Sequence, residues 1–183
     1  MNTSTLSNAG SASQDSFKNN WRRQQELKMR PVADRIYAEI FSGISVPERF
    51  DKPDNMVLDK EFAIDVRLTF PCGLTLTGQE KFLTYKQATF RTVTVEYEQN
   101  QDTHERGDWY KLAVQFYFVG YSTKDNEDFY PWVLLDWPRV IIATVQDKVT
   151  WSMRKNLHDG ARANFKYCSM DKLPSECIIA SSL

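Results

Sequence analysis

The chain has 183 residues, of which 42% are hydrophobic and 13% aromatic, so it can form one domain with a buried core. Its 23 Lys and Arg residues nearly balance 24 Asp and Glu residues, and the net charge of −1 argues against polyanion binding over the whole surface. Three cysteines without a CxxC pair predict a reduced, intracellular and hence cytoplasmic protein. No apolar run is long enough to predict a membrane span.

The order of the predicted elements indicates the fold class. Residues 1–18 are polar and predict a disordered tail, and residues 19–183 predict a single domain. The predicted elements are helices at 19–28 and 30–41, strands at 62–70, 74–83 and 90–97, a helix at 108–116, strands at 116–121 and 130–137, and a helix at 136–148. This order predicts an α/β fold in which helices flank a central mixed β-sheet.

Two of these strands form a hairpin that gathers polar side chains. The loop at 71–73 ends in glycine, which is typical of a three-residue hairpin connection. This loop pairs the strands so that Asp65 lies opposite Gln79, with Lys81 two residues further along the same face. The apolar side chains then lie on the other face, which supports this register.

These three residue types are suited to metal-assisted hydrolysis of a phosphodiester. A carboxylate and an amide oxygen are hard ligands for Mg²⁺ or Mn²⁺, and a lysine can orient a water molecule or neutralise a phosphate. Glu39 lies three residues after Ile36 in the helix predicted at 30–41, beside its apolar stripe. We therefore expect Glu39 to point toward the sheet and to supply a further carboxylate.

The constellation resembles the PD-(D/E)XK nuclease superfamily, which has the restriction-endonuclease-like fold. The helix acid corresponds to Glu39, the strand acid to Asp65 within "FAIDV", and the last element to Gln79-Glu80-Lys81 within "TGQEKF". The third strand would be "FRTVTVEY" and the following helix "GDWYKLAVQF", so the resemblance covers about residues 30–136. It implies a DNA-cleaving enzyme that uses Mg²⁺ or Mn²⁺.

The resemblance also implies a role for each residue. Glu39, Asp65, the Gln79 side-chain oxygen and the Glu80 backbone carbonyl would hold the metal, and Lys81 would position the attacking water. Gln79 stands where most members have Glu or Asp, and a Gln-x-Lys version is similar to the Mrr-like branch. An alternative is therefore a catalytically inactive nuclease-fold module that binds nucleic acid or a protein partner.

Other interpretations of these residues stay open. Asp65, Gln79 and Lys81 could form an ordinary solvated cross-strand group. A basic segment at 154–166, interspersed with aromatic residues, could contact a DNA backbone, although such stretches are more often simply solvated. The oligomeric state is left open, a homodimer being one alternative. A small nuclease of this kind suits a phage or mobile element as readily as a cell.

Overall fold

A computed structural model describes residues 11–51, 55–156 and 162–183, with side chains from Trp21 onward. The α-helices are α1 (Ser11–Ile40), α2 (Met56–Phe62) and α3 (Trp137–Val145). The strands are β1 (Glu48–Arg49), β2 (Val66–Thr69), β3 (Thr75–Leu83), β4 (Thr92–Asn100), β5 (Glu105–Arg106), β6 (Phe116–Ser122), β7 (Phe129–Asp136), β8 (Ser152–Lys155), β9 (Asn164–Ser169) and β10 (Ile178–Ser181). Short 3₁₀ turns lie at Tyr85–Phe90, Asp108–Tyr110, Met170–Lys172 and Ser175–Cys177.

The described strands form two sheets. The first sheet has the order β1-β2-β3-β6-β7-β10, and the second has the order β5-β4-β9-β8. In the first sheet β3 and β6 are parallel, whereas the other neighbours are antiparallel. The prediction of an α/β fold with a mixed central sheet is therefore confirmed.

Helix α1 covers one face of the first sheet. Its buried residues, which include Ile36 and Tyr37, pack against Val66 of β2 and against Phe116 and Phe118 of β6. The Tyr37 ring contacts both phenylalanine rings edge-on, with centroids 5.5 and 5.6 Å apart. Within the described part of the chain, no helix is both long and apolar enough to cross a lipid bilayer.

The other face of the first sheet packs against the second sheet and α3. Tyr117 and Val119 of β6 share this second core with Val93 and Val95 of β4 and with Val140 of α3. The hydroxyls of two buried tyrosines donate hydrogen bonds to carbonyls of β4, from Tyr117 to Thr94 and from Tyr121 to Thr92, both at 2.8 Å. Helix α1 thus flanks one face of the mixed sheet, and the second sheet and α3 cover the other face.

The predicted hairpin has the expected register. The Phe70 N–H donates to the Leu74 carbonyl at 2.8 Å, and Gly73 has the positive φ of +84° that this loop requires. Val66 is paired with Gly78. The face assignment that brings Asp65, Gln79 and Lys81 together follows from this register.

Three predicted elements differ from the structure. The helix predicted at 108–116 is wrong, because the chain makes only the 3₁₀ turn Asp108–Tyr110 before the buried strand β6 begins. The predicted third strand exists as β4, but it lies in the second sheet rather than beside the hairpin. The first hairpin strand begins at Val66, since the preceding segment forms α2, which ends at Ala63 in the left-handed conformation.

The amino-terminal segment also differs from its prediction. Helix α1 begins at Ser11 and therefore includes residues 11–18 of the predicted tail. Residues 1–10 of that predicted tail lie outside the described residues. The two helices predicted at 19–28 and 30–41 are one continuous helix with Pro31 inside it.

Candidate functional site

The first sheet brings the three predicted hairpin residues to its second-sheet face. Gln79 and Lys81 of β3 are paired with Tyr117 and Val119 of β6, whose side chains lie in the second core. Asp65 directly precedes Val66, which faces α1, so strand alternation directs Asp65 to the side of Gln79. These three residues therefore lie together, as the hairpin register predicts.

Asp65 is held by hydrogen bonds at the start of β2. Its Oδ2 accepts the backbone N–H of Glu80 at 2.9 Å, and its backbone N–H donates to the Gly78 carbonyl at 2.9 Å. Burial is the main cause that raises the pKa of Asp65 well above its usual value, and the negative charges of Glu80 and Asp59 add to it. The carboxylate form of Asp65 is thus disfavoured unless a cation comes close.

Further charged residues surround this carboxylate. Burial raises the pKa of Asp59, and the nearby Asp108 raises it further, while Lys111 acts in the opposite direction. The Lys111 ammonium lies 3.3 Å from the Asp108 carboxylate and donates a hydrogen bond to the Lys60 carbonyl at 2.7 Å. The segment after β5 thereby brings one more acid and one more base to the site.

Lys81 connects the hairpin with the second sheet. Its ammonium lies 5.4 Å from the centroid of the Phe165 ring on β9, and it attracts the carboxylate of Glu96 on β4. Burial raises the pKa of Glu96, with a further contribution from the negative charge of Asp108. Glu96 therefore belongs to the same charged group as Lys81.

Gln79 has a side-chain oxygen without a partner. Its Oε1 is buried and accepts no hydrogen bond from any described residue. A buried carbonyl oxygen without a donor costs about 1–3 kcal/mol, so such an atom requires an explanation. A ligand or cation that contacts Gln79 would remove this cost.

The Glu80 side chain lies on the opposite face, toward α1. Its carboxylate forms an ion pair with Arg49 at 2.8 Å and accepts the Tyr37 hydroxyl at 3.0 Å, and Arg49 also contacts Asp34 at 2.7 Å. The Arg49 and Glu80 side chains are only 9% and 7% exposed. Burial lowers the pKa of Arg49, but the charges and hydrogen bonds of Glu80 and Asp34 together outweigh burial and raise that pKa. The Glu80 side chain is thus part of a buried ion pair between α1, β1 and β3.

The prediction that Glu39 points toward the sheet is wrong. Glu39 is exposed on α1, and α1 packs on the sheet face that carries Glu80 rather than Gln79 and Lys81. The apolar stripe of α1 passes through Ile36 and Tyr37, and Glu39 lies outside it. The structure therefore does not bring Glu39 to the other predicted site residues.

The assembled group carries more negative than positive charge. The carboxylates of Asp59, Asp65, Glu96 and Asp108 influence one another, whereas the nearby ammonium groups are those of Lys81 and Lys111. We call these six residues and Gln79 the interlayer site. Over residues 11–51, 55–156 and 162–183, no three His, Cys, Asp or Glu side chains form a metal-binding group. A set of two carboxylates and the Gln79 amide oxygen differs from such a group of three, because one of its donors is an amide. These oxygen donors suit a hard cation.

Sequence reasoning found only part of this site. Neither Glu96 nor Asp108 is among the residues that the family resemblance indicates. Asp59 carries no sequence signal, because its position depends on how α2 packs against the segment after β5.

Comparison of the chain with protein-family models, curated proteins and solved structures found no match. The functional interpretation therefore depends on the residues themselves.

Proposed function

We propose that the protein is a metal-dependent nuclease that hydrolyses DNA phosphodiester bonds at the interlayer site. The observation that carries the proposal is the buried Gln79 Oε1, which has no hydrogen-bond partner among the described residues and lies on the same sheet face as Asp65 and Lys81. A nuclease needs a cation that binds a phosphate oxygen, and it needs a group that holds the attacking water. The hairpin supplies candidates for both.

A divalent cation fits the donors of this site. Asp65 and the Gln79 Oε1 would hold Mg²⁺ or Mn²⁺, together with Asp59 or Glu96, because these cations prefer oxygen ligands. Burial, together with neighbouring negative charges, raises the pKa values of Asp65, Asp59 and Glu96, and a bound cation would favour their carboxylate forms. Bound there, the cation would supply Lewis-acid activation of the phosphate and of a water molecule.

The residues of the chain contribute position and charge. The Glu80 N–H fixes one oxygen of Asp65, which leaves the other oxygen available to a ligand. The Lys81 ammonium, held beside the Phe165 ring and attracted by Glu96, would orient the attacking water or neutralise the phosphate. Partial burial of the group strengthens each of these electrostatic interactions.

We also propose that the hairpin and its site correspond to the restriction-endonuclease-like core. Support comes from α1 packed on a mixed sheet and from Asp65, Gln79 and Lys81 on one sheet face. The chain departs from that pattern where β4 joins a second sheet and where no helix follows it before β6. Glu39 is replaced in this proposal by acids from α2 and β4.

The first test is cleavage of supercoiled plasmid and of labelled oligonucleotides in Mg²⁺, Mn²⁺ or EDTA. We expect cleavage with either metal and none in EDTA. Lys81→Met keeps the length of the side chain but removes the charge, and we expect a loss of about 10²-fold or more. The matched control Lys124→Met changes an exposed lysine in the β6–β7 turn and should cleave as the wild type does.

A second variant tests whether Glu39, which the sequence places in the site and the structure does not, takes part in cleavage. Because Glu39 is exposed on the opposite side of the sheet, Glu39→Ala should retain wild-type cleavage. Loss of cleavage in that variant would show that Glu39 takes part in cleavage. It would contradict the position of Glu39 on the opposite side of the sheet. Absence of cleavage by the wild type with both metals would refute the proposed enzyme.

Gln79→Glu tests the metal site directly. The new carboxylate adds a negative charge where negative charge is already in excess, so the metal-free variant should have a lower Tm than the wild type. The same charge should strengthen Mn²⁺ binding by about tenfold, and the Tm increase on adding Mn²⁺ should therefore be larger. The measurement is thermal unfolding with and without MnCl₂. Gln146→Glu, an exposed change after α3, is the control, and equal Tm increases in both variants would argue against Gln79 as a ligand.

The alternative is a nuclease-fold module that binds nucleic acid or a protein without cleaving. The neutral Gln79, which gives the cation less charge than an acid would, favours this alternative. DNA binding that EDTA leaves unchanged, without any cleavage, would support it. Absence of both DNA binding and cleavage would favour a protein–protein adaptor.

A further inference from the structure

A row of side chains crosses the second sheet from a point beside Lys81. Strand pairing aligns Glu96 of β4 with Phe165 of β9, and Phe165 with Arg154 of β8. Directly paired residues project from the same face of a sheet, and neighbouring strands are about 4.8 Å apart. These three side chains therefore form a line about 10 Å long that begins at the interlayer site.

Contacts between cations and rings extend this line at both ends. The Lys81 ammonium lies 5.4 Å from the centroid of the Phe165 ring, and the Arg154 guanidinium lies 5.5 Å from that of the Phe90 ring. We call Lys81, Phe165, Arg154 and Phe90 the cation–aromatic row. In it, each positive charge alternates with a phenyl ring.

The outer half of this row is open to solvent. Phe90 is 55% exposed, and Arg154 is also exposed. The inner half, Phe165 and Lys81, is partly exposed. Exposed rings beside cations are typical of surfaces that bind ligands with both aromatic and anionic groups.

We propose that the cation–aromatic row binds an unpaired nucleotide strand and leads it to Lys81 and Gln79. This inference rests on the proposed nuclease function and names its substrate class. Bases of the strand would stack on Phe165 and Phe90, and phosphates would pair with Arg154. The alternation of rings and charges matches the alternation of bases and phosphates along one strand.

The chemistry of the row favours a single strand over a duplex. A phenyl ring binds the face of a base, and in a duplex those faces are already stacked on neighbouring base pairs. A duplex would offer phosphates to Arg154 and Lys81 but would leave both rings without a base. Affinity for duplex should therefore depend little on Phe90 and Phe165.

The experiment measures binding apart from cleavage. Fluorescence anisotropy in EDTA compares the full-length protein on a labelled oligothymidine with the same protein on a hairpin duplex of equal strand length. We expect the oligothymidine to bind at least about tenfold more tightly. Equal affinities, or tighter binding of the duplex, would overturn the proposal.

Substitutions in the cation–aromatic row test whether the oligothymidine binds there. Phe90→Ala and Phe165→Leu should each weaken oligothymidine binding by about 5- to 100-fold while changing duplex binding less than threefold. Arg154→Gln should reduce the slope of log K against log salt by about 0.7, as expected for one lost phosphate contact on a single strand. Tyr130→Ala removes a 61% exposed ring outside the row and should change nothing.

The outcomes separate this proposal from the nuclease itself. If Phe90→Ala and Phe165→Leu bind oligothymidine as tightly as the wild type does, the proposed role of the cation–aromatic row is overturned, even if the protein cleaves DNA. If the wild type binds oligothymidine selectively, both variants lose this binding and the protein cleaves no DNA, the binding role of the cation–aromatic row is supported and the nuclease proposal is refuted. Phe165→Leu keeps an apolar side chain of similar size, and an unchanged Tm for each variant shows that lost binding does not come from unfolding.

Discussion

Asp65→Asn is expected to reduce metal-dependent cleavage by about 10³-fold or more and, at the same time, to raise the Tm of the metal-free protein. The loss of activity follows from replacing a charged metal ligand by a neutral one. The Asn side-chain oxygen can still accept the Glu80 N–H that Asp65 Oδ2 accepts at 2.9 Å, so the local backbone is preserved. Functional sites commonly retain residues that lower the stability of the fold, and Asp65 would be such a residue.

The gain in stability follows from the raised pKa of Asp65. Burial, helped by the negative charges of Glu80 and Asp59, raises that pKa above its value in the unfolded chain. The contribution of such a group to the stability of the fold is fully present below its unfolded pKa and is lost as the pH rises through its folded pKa. Asn does not ionise, so the Tm advantage of the variant should be absent at low pH and grow toward neutral pH.

The two readouts are single-turnover cleavage in Mn²⁺ and thermal unfolding in EDTA across this pH range. Asp102→Asn is the matched control, because the Asp102 side chain is exposed and forms only a long ion pair of 3.9 Å with the exposed Arg162. That variant should change neither cleavage nor Tm appreciably. Retained cleavage by Asp65→Asn, or a lower Tm than the wild type at neutral pH, would contradict the assignment.

Arg49→Met is expected to lower the free energy of unfolding by about 3–5 kcal/mol, because it leaves the buried Glu80 carboxylate without its cation. The two side chains are 9% and 7% exposed, and Arg49 binds both oxygens of Glu80, at 2.8 and 2.9 Å. Asp34 would lose its partner as well. Urea unfolding followed by circular dichroism measures the change.

The adjacent pair on the opposite sheet face is the matched control. Arg67 pairs with Glu48, but these side chains are 41% and 48% exposed, so Arg67→Met should cost at most about 1 kcal/mol. The double variant Arg49→Met/Glu80→Met removes both buried charges and should regain much of the lost stability. Equal effects of Arg49→Met and Arg67→Met would show that burial does not decide the strength of these pairs.

The hairpin is the part of the site that the sequence predicted correctly, because local rules determine it. A three-residue loop ending in glycine sets the register, and alternation then decides which side chains share a face. Asp65, Gln79 and Lys81 follow from those two rules alone. The same rules place Glu80 on the α1 face, where its partner Arg49 comes from β1, a strand too short to be predicted from the sequence.

The elements after the hairpin show the limit of such reasoning. The spacing of Trp109, Leu112 and Phe116 fits a helix, but these residues instead pack between layers while β6 inserts between β3 and β7. Non-local strand pairing decided this outcome, and no local pattern encodes it. The failed prediction for Glu39 has a related cause, since a residue at the edge of an apolar stripe is buried or exposed according to how its helix is rotated on the sheet.

The sequence by itself determined the hairpin register, the helical character of α1 and the residue types available for catalysis, since each depends on neighbours only a few positions apart. The tertiary structure alone decided that α2, β4 and the segment after β5 bring Asp59, Glu96, Asp108 and Lys111 to the same place. Charges from distant parts of the chain meet only when the layers pack, and the raised carboxyl pKa values of the site arise from that packing.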